Sequence, residues 1–392
     1  MRRRTFLQQM AVGAGAAPLV FAWGPRVQGQ EGAAPEGADW IVHSEVPHNA
    51  EPKLPELIES WITPVEKFFI RSHGPNPEID AKAHRVTVGG LVENELSFSV
   101  DELVEKFPAA ETTCTITCAG NRRYEHSKTK PVSGVQWREG AIGNATWSGV
   151  KLIDVLKAAG VKPEAKHVWF DGVDTHDAHG HETVFGGSIP IEKAYLETDE
   201  HFCLLATKMN GEPLTVDHGA PIRGIVPGYI GARSVKWLGN VTLANRPSPN
   251  HYVADAYKLV ERDEPLALAE AGILYKIPLN AAICFPPAGA RLGEVRRIRV
   301  AGYALPPGEP GVTVAEVHVS GDDGKTWRRA ALRHAEKEFC WALWRAEIEV
   351  SAENPTLVVR AIDSAGGRQP LVSPWNAKGY MYNAWHRVEL EV

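Results

Sequence analysis

Thiols are scarce in this chain: five cysteines (Cys114, Cys118, Cys203, Cys284 and Cys340) occur in 392 residues. They are too scattered for a disulfide scaffold, and no CxxC or CxxCH supports a zinc ribbon or covalently attached c-type haem. Positive charge is also short. A net charge of −6 leaves no global basic surface for nucleic acid, so an anionic partner must be met by local arginines. No apolar run reaches the ~18 residues that mark a membrane span, and neither GxGxxG nor GxxxxGK with a following Ser or Thr suggests a nucleotide. Internal repeats and low-complexity tracts are absent as well. What remains is an ordinary globular composition, 44% apolar and 23% charged, in a chain long enough for two domains with real cores.

The N-terminus carries an address. "RRRTFLQQ" followed by the weakly apolar "MAVGAGAAPLVFAWG" has the order Arg3, Arg4, Thr5, Phe6, Leu7 of a twin-arginine export signal, placed over residues 1–30. That route carries folded proteins to the periplasm, often with a cofactor already loaded, so a cofactor is expected on grounds independent of any site residue.

Beyond a polar, Pro-rich stretch, residues 40–262 mix helical and strand patterns. "HRVTVGGLVENELSFSV" alternates like a hairpin, and Ser99 and Glu102 stand at capping-box spacing at the head of a helix. In "SGVKLIDVLKAAG" the residues Val150, Leu152, Val155, Leu156 and Ala159 share a helical face that Gly160 ends. No clean βαβ repeat emerges, so the fold class is α+β. From about residue 265 the texture changes to short alternating strands parted by Gly, Pro and Asp, which reads as a β-sandwich over 265–392.

The chemistry gathers at "TCTITCAGNRR", Thr113 to Arg123. A free cysteine is usually a small buried hydrophobe, which accounts for Cys203, Cys284 and Cys340. Cys118 differs because cations and turn N–H groups follow it within one turn, the surroundings that favour a thiolate. A soft thiolate suits a metal that changes oxidation state. Cys114 lies four residues earlier on a strand-like run, away from the arginines.

These residues resemble the cysteine loop of the sulfite oxidase family of molybdenum enzymes. "FFIRSH", "FGGSIPIEKA", "DHGAPIR", "GARSVKW" and the terminal "SPWNAKGYMYNAWHRVELEV" resemble that family in the same order, over roughly residues 40–392. The resemblance implies a molybdopterin-binding α+β domain followed by an immunoglobulin-like dimerisation domain, hence a homodimer. It further implies Cys118 as the protein's thiolate to molybdenum, with the pterin and its phosphate held by Phe69, Arg71, Ser72, His73, Asp174, His218, Arg223, Ser234, Val235 and Lys236. Cationic and N–H donors in a concave site suit a phosphate dianion. The substrate pocket implied is Arg71, His73, Arg123, Trp137 and Tyr257, binding sulfite, with electrons leaving singly to an external acceptor such as cytochrome c. Lys378 stands where many relatives have arginine in "WNxRG"; it keeps the charge and loses the bidentate fork, which leaves sulfane sulfur or another oxyanion as alternative substrates. A separate cluster, "DTHDAHGHET", gathers His176, His179 and His181 with carboxylates, but its spacing matches no standard metal site and it reads as a surface loop.

Overall fold

A computed structural model describes residues 40–178, 180–262, 264–292 and 297–391. The export signal read over residues 1–30, and His179, lie outside the described residues.

The alternating stretch after His84 folds as the antiparallel pair Arg85–Gly90 and Leu96–Ser99. Alternation buries Val86, Val88 and Phe98 and turns Arg85, Thr87 and Ser97 to solvent. Ser99 then caps the helix Val100–Lys106: Glu102 N–H donates to its hydroxyl at 3.2 Å, and its own N–H donates to the Glu102 carboxylate at 2.8 Å. The pair is one edge of a five-stranded sheet in the order Gly186–Pro190, His167–Gly172, Leu238–Ala244, Arg85–Gly90, Leu96–Ser99. Only Leu238–Ala244 and Arg85–Gly90 run parallel in it, so the layer is a mixed α+β sheet without a βαβ series.

A second sheet places Ala109–Thr117 against Ile142–Lys151, which pairs with Leu204–Met209. The helix expected from Val150 onward begins later, as Leu152–Ala159. Val150 is the penultimate residue of its strand, with Ala109 and Leu205 opposite it on either side. Two ladder partners outweigh the helical periodicity that made it resemble a first-turn residue. The short strands Trp40–Ser44, Asn49–Pro52 and Ile70–Arg71 form a third sheet that aims the 68–73 segment inward.

The C-terminal third is a β-sandwich. One four-stranded sheet runs Asn280–Phe285, Arg297–Leu305, Ala342–Glu349, Ala331–Arg333, and the other Arg328–Arg329, Val314–Ser320, Thr356–Asp363, His386–Glu389. Ile283, Val300, Val317, Trp344, Leu357 and Val359 fill the space between them. The two parts also share a core, in which Ala119, Ile142, Ile230 and Tyr257 pack with Tyr303, Trp341 and Leu343. That joint core lies directly behind the cysteine loop. No helix among the described residues is long and apolar enough to cross a membrane.

Candidate active site

Where the strand Ala109–Thr117 ends, the chain turns at Cys118 and enters the helix Arg123–Thr129. The Cys118 N–H donates to Ala141 O at 2.9 Å, and the Gly120 N–H points back at Cys118 Sγ at 3.4 Å. That N–H fixes the direction in which the sulfur points. A side chain at position 120 would displace the Arg123 guanidinium, because a Cβ there would stand 2.7 Å from Arg123 Nη2 and 2.8 Å from its Cζ. Cys114, upstream on the strand, has no exposed surface, and burial pushes its thiol up to about 12. It is a protonated core residue.

Cys118 faces a cleft with about 670 Å³ of empty space, part of it open to solvent. Its wall brings together Phe69, Arg71, Ser72, His73, Cys118, Asp174, His218, Arg223, Ser234, Lys236 and Tyr257 of the residues expected from the sequence. Pairing of Arg71 with Asn49 sets the 70–73 segment, and Asn49 Oδ1 accepts from Ser72 N at 3.2 Å and from Arg71 Nη1 at 3.2 Å. Lys236 Nζ donates to Ser72 Oγ at 2.8 Å and to Asp217 O at 2.9 Å. Burial, followed by the nearby Arg223 charge, lowers Lys236 to about 7 against the opposing pull of Asp217 and Asp174. Arg223 donates to His218 O and Ser234 O, each at 2.9 Å, and burial lowers it to about 10. Burial likewise takes His218 down to about 4. Arg223 and Lys236 thus stand at one end of the cleft beside a neutral His218, with Asp217 and Asp174 the carboxylates on the same wall.

At the other end His73 lies flat on Phe185, ring centroids 4.5 Å apart, and its Nε2 is 3.1 Å from Tyr257 Oη. Burial and then the Arg71 charge hold His73 well below the usual histidine range, so it is neutral at pH 7. Burial and the adjacent Tyr380 raise Tyr257, which keeps its proton.

Four expected residues stand off the cleft wall. Arg123 is 5% exposed and lies behind the wall, donating from Nε to Gly379 O at 3.3 Å and from Nη1 to Val135 O at 2.9 Å. Trp137 is wholly buried edge-on to His43 and Phe69. Val235 belongs to the core of the first domain. Lys378 is half-exposed on the turn whose Gly379 carbonyl accepts from Arg123. The histidine-rich stretch also separates. His176 is buried with Nε2 2.6 Å from Tyr252 Oη and Nδ1 2.8 Å from Asp174 O, whereas His181 is exposed on the neighbouring strand. Sequence reasoning missed Phe185, Asp217 and Tyr380. Asp217 adjoins His218 in "DHGAPIR" and was within reach; the two aromatics carry no signal until the fold sets them against His73 and Tyr257.

The donor set fits a phosphorylated pterin dithiolene. Cationic and hydroxyl groups (Arg223, Lys236, Ser72) suit a phosphate. Buried Asp174 Oδ2 and Arg223 Nε have no hydrogen-bond partner within the protein, which a ligand offering both donors and acceptors would satisfy. Cys118 is the one thiol on the wall.

Comparison with known proteins agrees with this geometry. Residues 73–252 match the oxidoreductase molybdopterin binding domain, and residues 271–392 the Mo-co oxidoreductase dimerisation domain. The chain is 40% identical over 365 residues to the mitochondrial sulfite oxidase of Rattus norvegicus, covering 90% of this chain and 65% of that protein. It is 34% identical over 394 residues to the sulfite oxidase of Arabidopsis thaliana, covering 94% of this chain and 98% of that one. The crystal structure of the sulfane dehydrogenase SoxCD from Paracoccus pantotrophus superposes with a TM-score of 0.74 at 25% identity, covering 96% of this chain and 98% of that chain. With both domain models matched in order and such identity along nearly the whole length of the plant protein, the chain belongs to the sulfite oxidase family of molybdopterin oxidoreductases.

Proposed function

We propose that this protein oxidises sulfite to sulfate in the periplasm, as a homodimer that passes electrons singly to an external acceptor such as cytochrome c. The observation that carries the reading is a single thiol, with an amide N–H on its sulfur, facing a cleft crowded with cations. The molybdenum cofactor, when bound through Cys118, supplies the two-electron oxidation and the oxygen transfer. The protein's part is positioning and charge. Arg71 on the wall, with Arg123 behind it, makes the pocket positive for an anion of charge −2 in both substrate and product. Tyr257 keeps its hydroxyl proton and is placed to donate to a substrate oxygen, and neutral His73 lies 3.1 Å from that hydroxyl. Sulfite and water yield sulfate, two protons and two electrons, and a neutral His73 adds no positive charge of its own while its ring nitrogen fixes the Tyr257 hydroxyl.

A substrate with sulfane sulfur is the second reading. It rests on the likeness to the sulfane dehydrogenase at 25% identity. The 40% identity to animal sulfite oxidase favours sulfite. Matured protein should hold one molybdenum per chain and reduce cytochrome c with sulfite and not with thiosulfate or a sulfane-sulfur carrier. Cys118→Ser should lose turnover by at least about 1000-fold, while Cys203→Ser keeps it. Absence of molybdenum in matured wild type, or full activity in Cys118→Ser, overturns the reading.

A further inference from the structure

The loop that presents the thiol is held from the other domain. Ala119 O accepts from Met381 N at 2.8 Å, Asn121 Nδ2 donates to Tyr303 Oη at 3.2 Å, and Arg123 Nε donates to Gly379 O at 3.3 Å. Arg122 reaches deepest. Its Nη1 donates to Asn280 Oδ1 at 2.8 Å and to Ala384 O at 2.9 Å, while Nε and Nη2 fork onto Glu125 at 2.6 and 3.2 Å. Gly120 is left to give its N–H to Cys118 Sγ.

Two features separate this contact from simple adhesion between domains. Arg122 has no exposed surface, and a buried guanidinium is a costly way to join two surfaces that apolar residues would join as well. Its backbone is left-handed, φ 65°, a strained state for a residue with a side chain that lasts only where the surroundings fix it from several sides. Arg122 also stands at the N-terminal boundary of the helix Arg123–Thr129, so its φ sets the direction in which the chain leaves the Cys118 turn. We infer that Arg122 is a positioning residue: by anchoring in the second domain it fixes the turn that aims Cys118 Sγ and the Gly120 N–H into the cleft. The second domain is therefore a working part of the active site in its own protomer, whatever it contributes to dimerisation. This rests on the proposed role of Cys118 as the metal thiolate.

The test uses the full-length holoenzyme with Arg122→Lys, Tyr303→Phe and a control, Trp61→Phe. Trp61 and Trp341 exchange indole-to-carbonyl hydrogen bonds of 2.9 Å across the same domain junction, and neither bond involves a residue of the 119–123 turn. Molybdenum content, the visible absorption and paramagnetic resonance of the thiolate-bound metal, amide hydrogen exchange over 118–123, and kcat and KM for sulfite are measured. Arg122→Lys should retain molybdenum, shift the metal's spectrum, speed exchange across the turn and lower kcat about 100-fold with little change in KM, the size of effect that small misplacements produce. Trp61→Phe should lower the unfolding temperature and leave spectrum and exchange as in wild type. If Arg122→Lys does not fold, Tyr303→Phe decides: faster exchange at Asn121 with a shifted spectrum supports the anchor, and wild-type exchange and spectrum overturn it. A molybdenum-loaded, sulfite-active wild type whose Arg122→Lys form is spectrally and kinetically normal overturns the anchor alone. A wild type without molybdenum overturns the function and the anchor together.

Discussion

Lys236 is the side chain of the cleft whose charge responds most directly to pH near neutrality. A lysine ordinarily titrates near 10.5, and burial beside Arg223 brings this one to about 7. A dianion next to Nζ favours the ammonium and raises that value, so binding of an anion there should take up a proton at pH 8 and weaken as the pH rises past 7. Sulfate, whose own charge is constant in this range, is a clean probe. Its affinity for cofactor-free protein should fall about tenfold between pH 7 and 8.5, with proton uptake visible in buffers of different ionisation enthalpy. In Lys236→Met that pH dependence should vanish; an identical pH profile in the two proteins would place the anion elsewhere in the cleft. The sign is opposite to that of a carboxylate site, where raising the pH would aid cation binding.

At the scale of elements, the helix Leu152–Ala159 separates local from tertiary determination. Its apolar face, Leu152, Val155, Leu156 and Ala159, and its stop at Gly160 follow from periodicity and residue type. Gly160 sits at φ 69°, and its N–H bonds back to Leu156 O and Lys157 O. A side chain there pays the left-handed penalty and also meets Glu93 Cβ at 3.0 Å. Gly160→Ala should therefore cost about 1–2 kcal/mol, read as a lower denaturant midpoint with an unchanged slope. Neither the helix nor Glu93 lines the cleft, so KM for sulfite should be unaltered. The helix start was not legible in the same way, because Val150 satisfies a helical stripe and a strand ladder equally well, and Ala109 and Leu205 decide between them.

For the whole molecule, the domain junction is an electrostatic joint as well as an apolar one. Burial alone would push the Glu139 carboxyl up, but the hydrogen bond and charge of His386, with Tyr124 and Arg122, hold it near 2. His386 Nε2 lies 3.0 Å from Glu139 Oε1 and Tyr124 Oη 2.6 Å from the same atom. A folded value below the unfolded one stabilises above the unfolded value of 4.5 and loses that stabilisation as the pH falls toward 2. The shift corresponds to roughly 3 kcal/mol, of which about 2 kcal/mol is gone by pH 3. Wild type should lose this increment between pH 7 and pH 3 in urea titrations. Glu139→Gln, weaker at pH 7, should lack it, so parallel acid curves would show that the joint does not depend on this carboxylate.

The amino-acid sequence by itself determined the elements and the chemistry: hairpin and capping box, the strand texture after residue 265, the cysteine beside N–H groups and arginines, and the order of motifs that resembles one family. Those features are local, set by period, cap and residue type within a few positions. Only the tertiary structure decided which residues meet. It brought the 68–73 segment, Asp174 and the 218–236 stretch around Cys118, set Arg123 and Trp137 behind that wall, and split the histidine cluster by burying His176 against Tyr252 while His181 stayed in solvent. It also tied Arg122 to Asn280 and Ala384, residues more than a hundred positions distant. Such pairings have no local signature, because a buried cation is stabilised by whichever acceptors the fold delivers, and their separation along the chain says nothing about their separation in space.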